Sequence, residues 1–252
     1  MAKKSGIETP TKAELARMDR KRKKRTSNQD WVNPNDPDAR VTKMKDGSTH
    51  MAHKAEHAVD METGAIVAIT LQGADQGDTK TIRQTLAEAG ENTAGVAAEV
   101  NTAAAELVNP EGPEEVVTDK GYHSNAVLVD LGKAEARSYI AEADRGKRNW
   151  EGKAEEKTAV YGNRRRVKGK RGKKLLEQRG EKLERPFAHM YETGGMRRTH
   201  LRGHGNILKR LLVHGAGCNL GLLMRNQGGA GKPRVLQGRP TPSFSSIWAG
   251  KW

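Results

Sequence analysis

The chain has 252 residues, 35% of them hydrophobic and only 4% aromatic, with a mean hydropathy of −0.82. Ordering each residue costs roughly 1–2 kcal/mol of backbone entropy, so this composition excludes two full-sized globules and predicts one modest core with solvated arms. Lys and Arg number 45 against 31 acidic residues, a formal charge of +14 that points to a polyanionic partner, and no apolar run approaches the roughly 20 residues needed to span a bilayer.

The basic charge is gathered in residues 17–25 and 164–174, a clustering that suits counterion release from nucleic acid. Thr11 and Glu14 have capping-box spacing and open a short helix through about Arg25. Residues 26–49 are rich in Asn, Asp, Pro and Gly and read as loop, with Trp31 expected to anchor it against the core rather than stack on a base. Residues 50–61 and 65–72 flank the polar turn Glu62-Thr63-Gly64 and read as a β-hairpin. Ile82, Leu86 and Ala89 give residues 79–90 helical spacing, and residues 91–113 read as a variable loop or frayed helix.

A short strand over residues 115–118 leads into Asp119, and Ser124 is placed to cap a helix through about Leu131 with Val127, Leu128 and Leu131 inward. Gly132 ends that helix and residues 137–141 suggest another strand, so the element order indicates a mixed α/β domain with a central sheet. Residues 144–174 are basic, with Trp150 and Tyr161 interleaved. Helical pattern returns over residues 174–191, where Pro186 disrupts the helix or marks a break. A later helix over residues 206–225 sets Ile207, Leu211, His214, Cys218 and Leu222 on one face, and Gly215, Gly217 and Gly221 suggest close packing. From Gln227 the Gly-, Pro- and Ser-rich tail reads as disordered. Cys218 is the single cysteine, which rules out an internal disulfide, reads as a buried structural thiol and fits a reducing cytoplasm.

Asp119 is the most suggestive residue for chemistry, because open α/β sheets place ligands at the C-terminal ends of strands. An Asp there also serves as a turn former. Glu177, Glu181 and Glu184 share one helix face, and spacing alone does not choose among them. His50, His53, His57, His200, His204 and His214 lack cysteine partners and any HExxH pattern, so they are expected to line a polar groove or touch DNA rather than hold zinc. Arg197, Arg198, His200, Arg202 and His204 precede an apolar helix, an arrangement suited to phosphate contact.

The segments VVTDKGYHS (116–124), AVYGNRRRVKGKRGKKLLEQRGEKLERPFAHMYETGGMRRTHLRGHGNILKR (159–210) and HKAEHAVDMETGAIVAI (53–69) together resemble bacterial insertion-sequence transposases of the DDE superfamily, over about residues 5–224. The resemblance implies a ribonuclease-H-like fold in which two Asp and one Glu hold two Mg²⁺ or Mn²⁺ ions that cut and rejoin DNA, the hard carboxylate oxygens suiting those ions. By position Asp119 matches the second Asp and Glu184 the Glu, both catalytic and metal-binding. Arg185, Arg197, Arg198 and Arg202 fall in the stretch directed at DNA, joined by the basic run Arg164, Arg165, Arg166, Lys168, Lys170 and Arg171.

The family's first Asp has no counterpart, because residues 1–49 offer no suitable strand and the position of Asp60 is not assigned to catalysis in relatives. The expectation is therefore a ribonuclease-H-like mixed sheet lacking its first strand: a basic arm (1–49), a partial catalytic domain (50–225) and a tail (226–252). Such a truncated transposase would act in the bacterial cytoplasm at the nucleoid, on transposon-end and target duplex DNA. It would work as a homodimer or with a full-length relative, and be inactive alone for want of the first Asp. The alternative is a nonenzymatic DNA-binding remnant or modulator.

Overall fold

The hairpin around Glu62-Thr63-Gly64 organises the first part of the fold. In the computed structural model, which describes residues 9, 11–21, 27–44, 46–99, 105–106, 108–144 and 146–228, β2 (Thr49–Val59) and β3 (Ile66–Gly73) run antiparallel with His53 opposite Gly73 and Ala58 opposite Ala68. The Asp60 carboxylate closes the turn by accepting the Thr63 amide at 2.7 Å, and the Asp60 amide donates to the Ala65 carbonyl at 2.8 Å.

The region read as loop carries two elements instead, the helical turn α2 (Ser27–Asp30) and the strand β1 (Arg40–Lys43), which pairs with β2 with Arg40 opposite Ala52. Asn28 makes the strand possible: its Oδ1 accepts the Val41 amide at 2.6 Å and its Nδ2 donates to the Val41 carbonyl at 3.0 Å. Trp31 is 45% exposed and does not anchor the segment. Upstream, α1 (Lys12–Arg20) opens with the expected box, the Thr11 amide on Glu14 Oε2 at 2.8 Å and the Glu14 amide on Thr11 Oγ1 at 3.4 Å. Residues 22–26, over which that helix was expected to continue, lie outside the described residues.

α3 (Asp78–Ala97) outruns the predicted helix by a turn or more and packs on β3. β4 (Glu115–Thr118) leads through a 3₁₀ turn (Lys120–Tyr122) into α4 (Asn125–Lys133), whose cap is the Ser124 hydroxyl accepting the Val127 amide at 3.1 Å. β5 (Arg137–Ile140) returns parallel to β4 with Val116 opposite Ser138. The basic stretch that followed without an assigned element forms α5 (Ala154–Lys168), and α6 (Lys170–Ala188) comes directly after it. Pro186 does not end α6. The helix runs on to Ala188 and opens into a π-turn (His189–Thr193), closed by the Gly194 amide on the His189 carbonyl.

The final helix, α7 (His204–Gly228), crosses β3. Of its glycines only Gly215 marks close packing, since a Cβ there would overlap Ile69 Cδ1, whereas Gly217 faces open space.

The architecture is mixed α/β. The strands do not form one central sheet, however: β1-β2-β3 is an antiparallel sheet and β4-β5 a separate parallel pair. The core is divided as well. One apolar cluster joins Ile82, Val116, Val127, Leu128, Leu131, Ile140 and Val160, and a second joins Ile66, Ile69, Leu71, Met190, Met196, Ile207 and Leu211. The expectation of a single core fails because α3 meets β2 and β3 through a polar layer. Thr81 and Thr85 of α3 bond Glu56 of β2, and Thr85 lies 2.7 Å from Thr70 of β3, whose hydroxyl accepts from Gln72 Nε2 at 2.7 Å. Among the described residues no helix is long and apolar enough to cross a membrane.

Candidate active site

Asp119 stands just beyond the last residue of β4 and caps the turn that follows. Its Oδ1 accepts the Gly121 amide at 2.9 Å, while the residue remains exposed and makes no ion pair among the described residues. One oxygen therefore holds the turn, the role an Asp commonly takes there, and the carboxylate stays open to solvent at a strand's C-terminal end.

The acid that crowds it is Asp78, the first residue of α3. A Cβ at Gly121 would overlap Asp78 Oδ2 and stand 3.1 Å from Asp119 Oδ1, so the two carboxylates share the space that glycine leaves empty. Behind them lies an internal cation. Lys54 Nζ stands 2.5 Å from Asp78 Oδ1 and 2.8 Å from Glu56 Oε1, and donates to Thr81 Oγ1 at 2.9 Å. Glu56 is only 3% exposed and accepts further bonds from Thr81, from Thr85 at 2.7 Å and from the Tyr122 hydroxyl at 3.1 Å. Burial, followed by the negative charges of Glu56, Asp78 and Asp119, pushes the Tyr122 phenol well above its ordinary value, so it stays protonated and donates.

Lys54, Glu56 and Asp78 were not singled out from the sequence. A Glu in an alternating strand and an Asp opening a helix are ordinary by themselves, and no linear spacing connects residues 54, 78 and 119. The packing of α3 on β2 and on the 3₁₀ turn after Asp119 joins them.

Glu184 lies exposed on α6, and no hydrogen bond or ion pair joins it to Asp119 among the described residues. Its helix packs against β4, β5 and β2, with Arg171 bonding Glu115 of β4 at 2.6 Å and Lys182 donating to the Glu62 carbonyl in the hairpin turn at 3.0 Å. Among the described residues no three His, Cys, Asp or Glu side chains are grouped so as to hold a metal ion. Asp119 and Asp78 offer the hard oxygens that Mg²⁺ accepts. Lys54 already neutralises Asp78, however, and Glu184 is not grouped with either, so this set does not fit a divalent ion by itself.

Compared with known proteins, the chain matches no family model, no curated protein and no solved structure.

The basic residues divide into two kinds. Arg164 is committed to Glu142 at 2.5 and 2.8 Å, Arg166 to the Ser138 carbonyl at 2.9 Å and hydroxyl at 2.8 Å, and Arg171 to Glu115. Arg185 pairs with Glu181 at 2.7 Å and Arg197 with Glu192, both at the surface, where such pairs contribute little and yield readily to phosphate. Arg165, Lys168, Lys170, Arg198 and Arg202 are exposed without an ion pair among the described residues. The histidines scatter. His53 pairs with Asp36 at 2.9 Å, His57 is buried against Phe187, and His204 bonds the Leu71 carbonyl beside a polar groove that Arg40, Gln72, Asp75 and Gln84 help to line.

Proposed function

We propose that this chain handles DNA in the manner of a DDE transposase, with Asp119 and Glu184 as two of its catalytic carboxylates. The observation that carries the reading is the open carboxylate of Asp119 at the C-terminal end of β4, with the helix that bears Glu184 laid across β4 and β2. In this reading the fold is ribonuclease-H-like. A further strand bridging the two sheets would join them and bring the third carboxylate. Mg²⁺ or Mn²⁺ would be held by Asp119, Glu184 and that third group. Because the described carboxylates do not make the set alone, the chain by itself binds duplex DNA without cutting it. The exposed Arg165, Lys168, Lys170, Arg198 and Arg202 supply the phosphate contacts.

One feature favours a second reading. Lys54 holds Asp78 and Glu56 as a resident cation beside Asp119, an arrangement also suited to a nonenzymatic DNA-binding remnant that modulates an active transposase.

The test measures duplex binding by fluorescence anisotropy and Mn²⁺-dependent nicking of supercoiled plasmid. It uses the chain alone and the chain mixed with a transposase of the same type whose own second Asp and Glu are changed to Ala. The expected result is binding that weakens with salt, with nicking only in the mixture and lost in Asp119→Ala or Glu184→Ala chains that still bind. A mixture that never nicks while binding persists selects the nonenzymatic reading. Absence of salt-sensitive binding would exclude both.

A further inference from the structure

The described surface carries one concentrated apolar patch, on the outer face of α7. Leu212, Val213, Leu220, Leu223 and Met224 are between 46% and 72% exposed, and Ala216 is exposed among them. At 3.6 residues per turn, positions 212, 213, 216, 220, 223 and 224 fall within an arc of about 120°. Ile207, Leu211 and Gly215, which pack on β3, lie on the opposite side. Val213, Ala216, Leu220 and Leu223 step by three, four and three residues, the spacing of a seam that receives another helix.

The arrangement is also palindromic. Reflected about position 218, Leu212 exchanges with Met224, Val213 with Leu223, and Ala216 with Leu220. A two-fold axis through an antiparallel helix pair applies this reflection, because an isologous contact sets residue i of one copy against residue j of the other and j against i. In that pair the small Ala216 of one copy meets the large Leu220 of the other, so the seam interdigitates. A parallel pair would set Ala216 against Ala216, leaving a void, and Lys209 against Lys209 at the head of the same stripe. The antiparallel pair keeps the two Lys209 ammonium groups at opposite ends. α7 contains no acidic residue to relieve that repulsion.

We infer that the outer face of α7 binds a second copy of this chain as an antiparallel, two-fold helix pair centred on position 218. The inference does not depend on the transposase reading.

The test is sedimentation velocity of the full chain across the micromolar range, with disulfide trapping to fix the orientation. A concentration-dependent dimer is expected, with Leu220→Glu monomeric and unchanged in helix content because Leu220 is exposed. Should Leu220→Glu misfold, Val213→Glu replaces it. In a Cys218→Ser background, an Ala216→Cys chain mixed with a differently tagged Leu220→Cys chain should cross-link between the two kinds. Cross-links only within one kind would mean a parallel pair and overturn the inference. So would a chain that stays monomeric at every concentration, or a dimer that survives folded glutamate variants.

Discussion

Asn163 of α5 bonds both backbone groups of Ile140 at the end of β5, its Oδ1 accepting the amide at 3.0 Å and its Nδ2 donating to the carbonyl at 2.8 Å. The same device recurs at Asn219, which bonds both backbone groups of Ile66 at 2.8 Å, and at Asn28 on Val41. In each case a side-chain amide takes the place that a neighbouring strand would fill. Asn163 and Ile140 are wholly buried, so Asn163→Ala would strand two polar backbone groups without water. Unsatisfied buried groups cost about 1–3 kcal/mol each, and a loss of about 2–4 kcal/mol in chemical denaturation is expected. Asn219→Ala should cost less, because its bonds are only part-buried. Equal losses at the two sites would contradict this account.

His57 provides an acid-sensitive point. Its ring lies 4.0 Å from Phe187 at 18°, neither nitrogen has a hydrogen-bond partner among the described residues, and burial lowers its pKa from 6.5 to about 4. The unfolded chain therefore takes up this proton first. Stability should be unaffected by His57 above pH 6.5 and decline as pH falls from 6.5 to 4, by about 3 kcal/mol in full. His57→Phe should remove that component while leaving the losses due to carboxylates at lower pH. Urea midpoints of the two proteins measured between pH 7 and pH 4 provide the check, and parallel curves would contradict it.

Lys54→Met should destabilise the protein by about 3 kcal/mol, because removing one partner leaves the buried Glu56 carboxylate without its cation. Adding Glu56→Gln should recover part of the loss. A double variant no more stable than Lys54→Met would mean that Lys54 acts through Asp78 alone.

Neutralising Arg165, Lys168 and Lys170 together should weaken DNA binding and reduce the slope of log affinity against log salt by about one for each phosphate no longer neutralised. Melting temperature should hold, since these side chains form no ion pair among the described residues. Arg164→Gln and Arg166→Gln should behave in the opposite way, lowering the melting temperature because they hold Glu142 and Ser138. Anisotropy titrations at several salt concentrations, read beside thermal melts, separate the two groups.

Much of the local structure was legible because its signals are short-range. The Thr11–Glu14 box, the hairpin turn at Asp60–Thr63 and the Ser124 cap each depend on partners three residues apart. β1 was missed because the group that orders it, Asn28, is 13 residues away and looks like a loop residue. α5 was hidden by its charge: the arginines that read as a run directed at nucleic acid include Arg164 and Arg166, which point inward to Glu142 and Ser138. At the candidate site the position of Asp119 could be read from the strand before it. Its companions Asp78, Glu56 and Lys54 come together only through tertiary packing.

The polar layer beneath α3 has a kinetic consequence. The apolar cluster on one side draws on residues 82–160, contacts that shorter loops can close, whereas the cluster on the other side must bring residue 66 to residue 211. With few apolar contacts bridging the layer, the two should form successive cooperative units, the local one first and the long-range one last. Amides of β5 and α4 should then gain protection in pulse-labelled hydrogen exchange before those of β3 and α7.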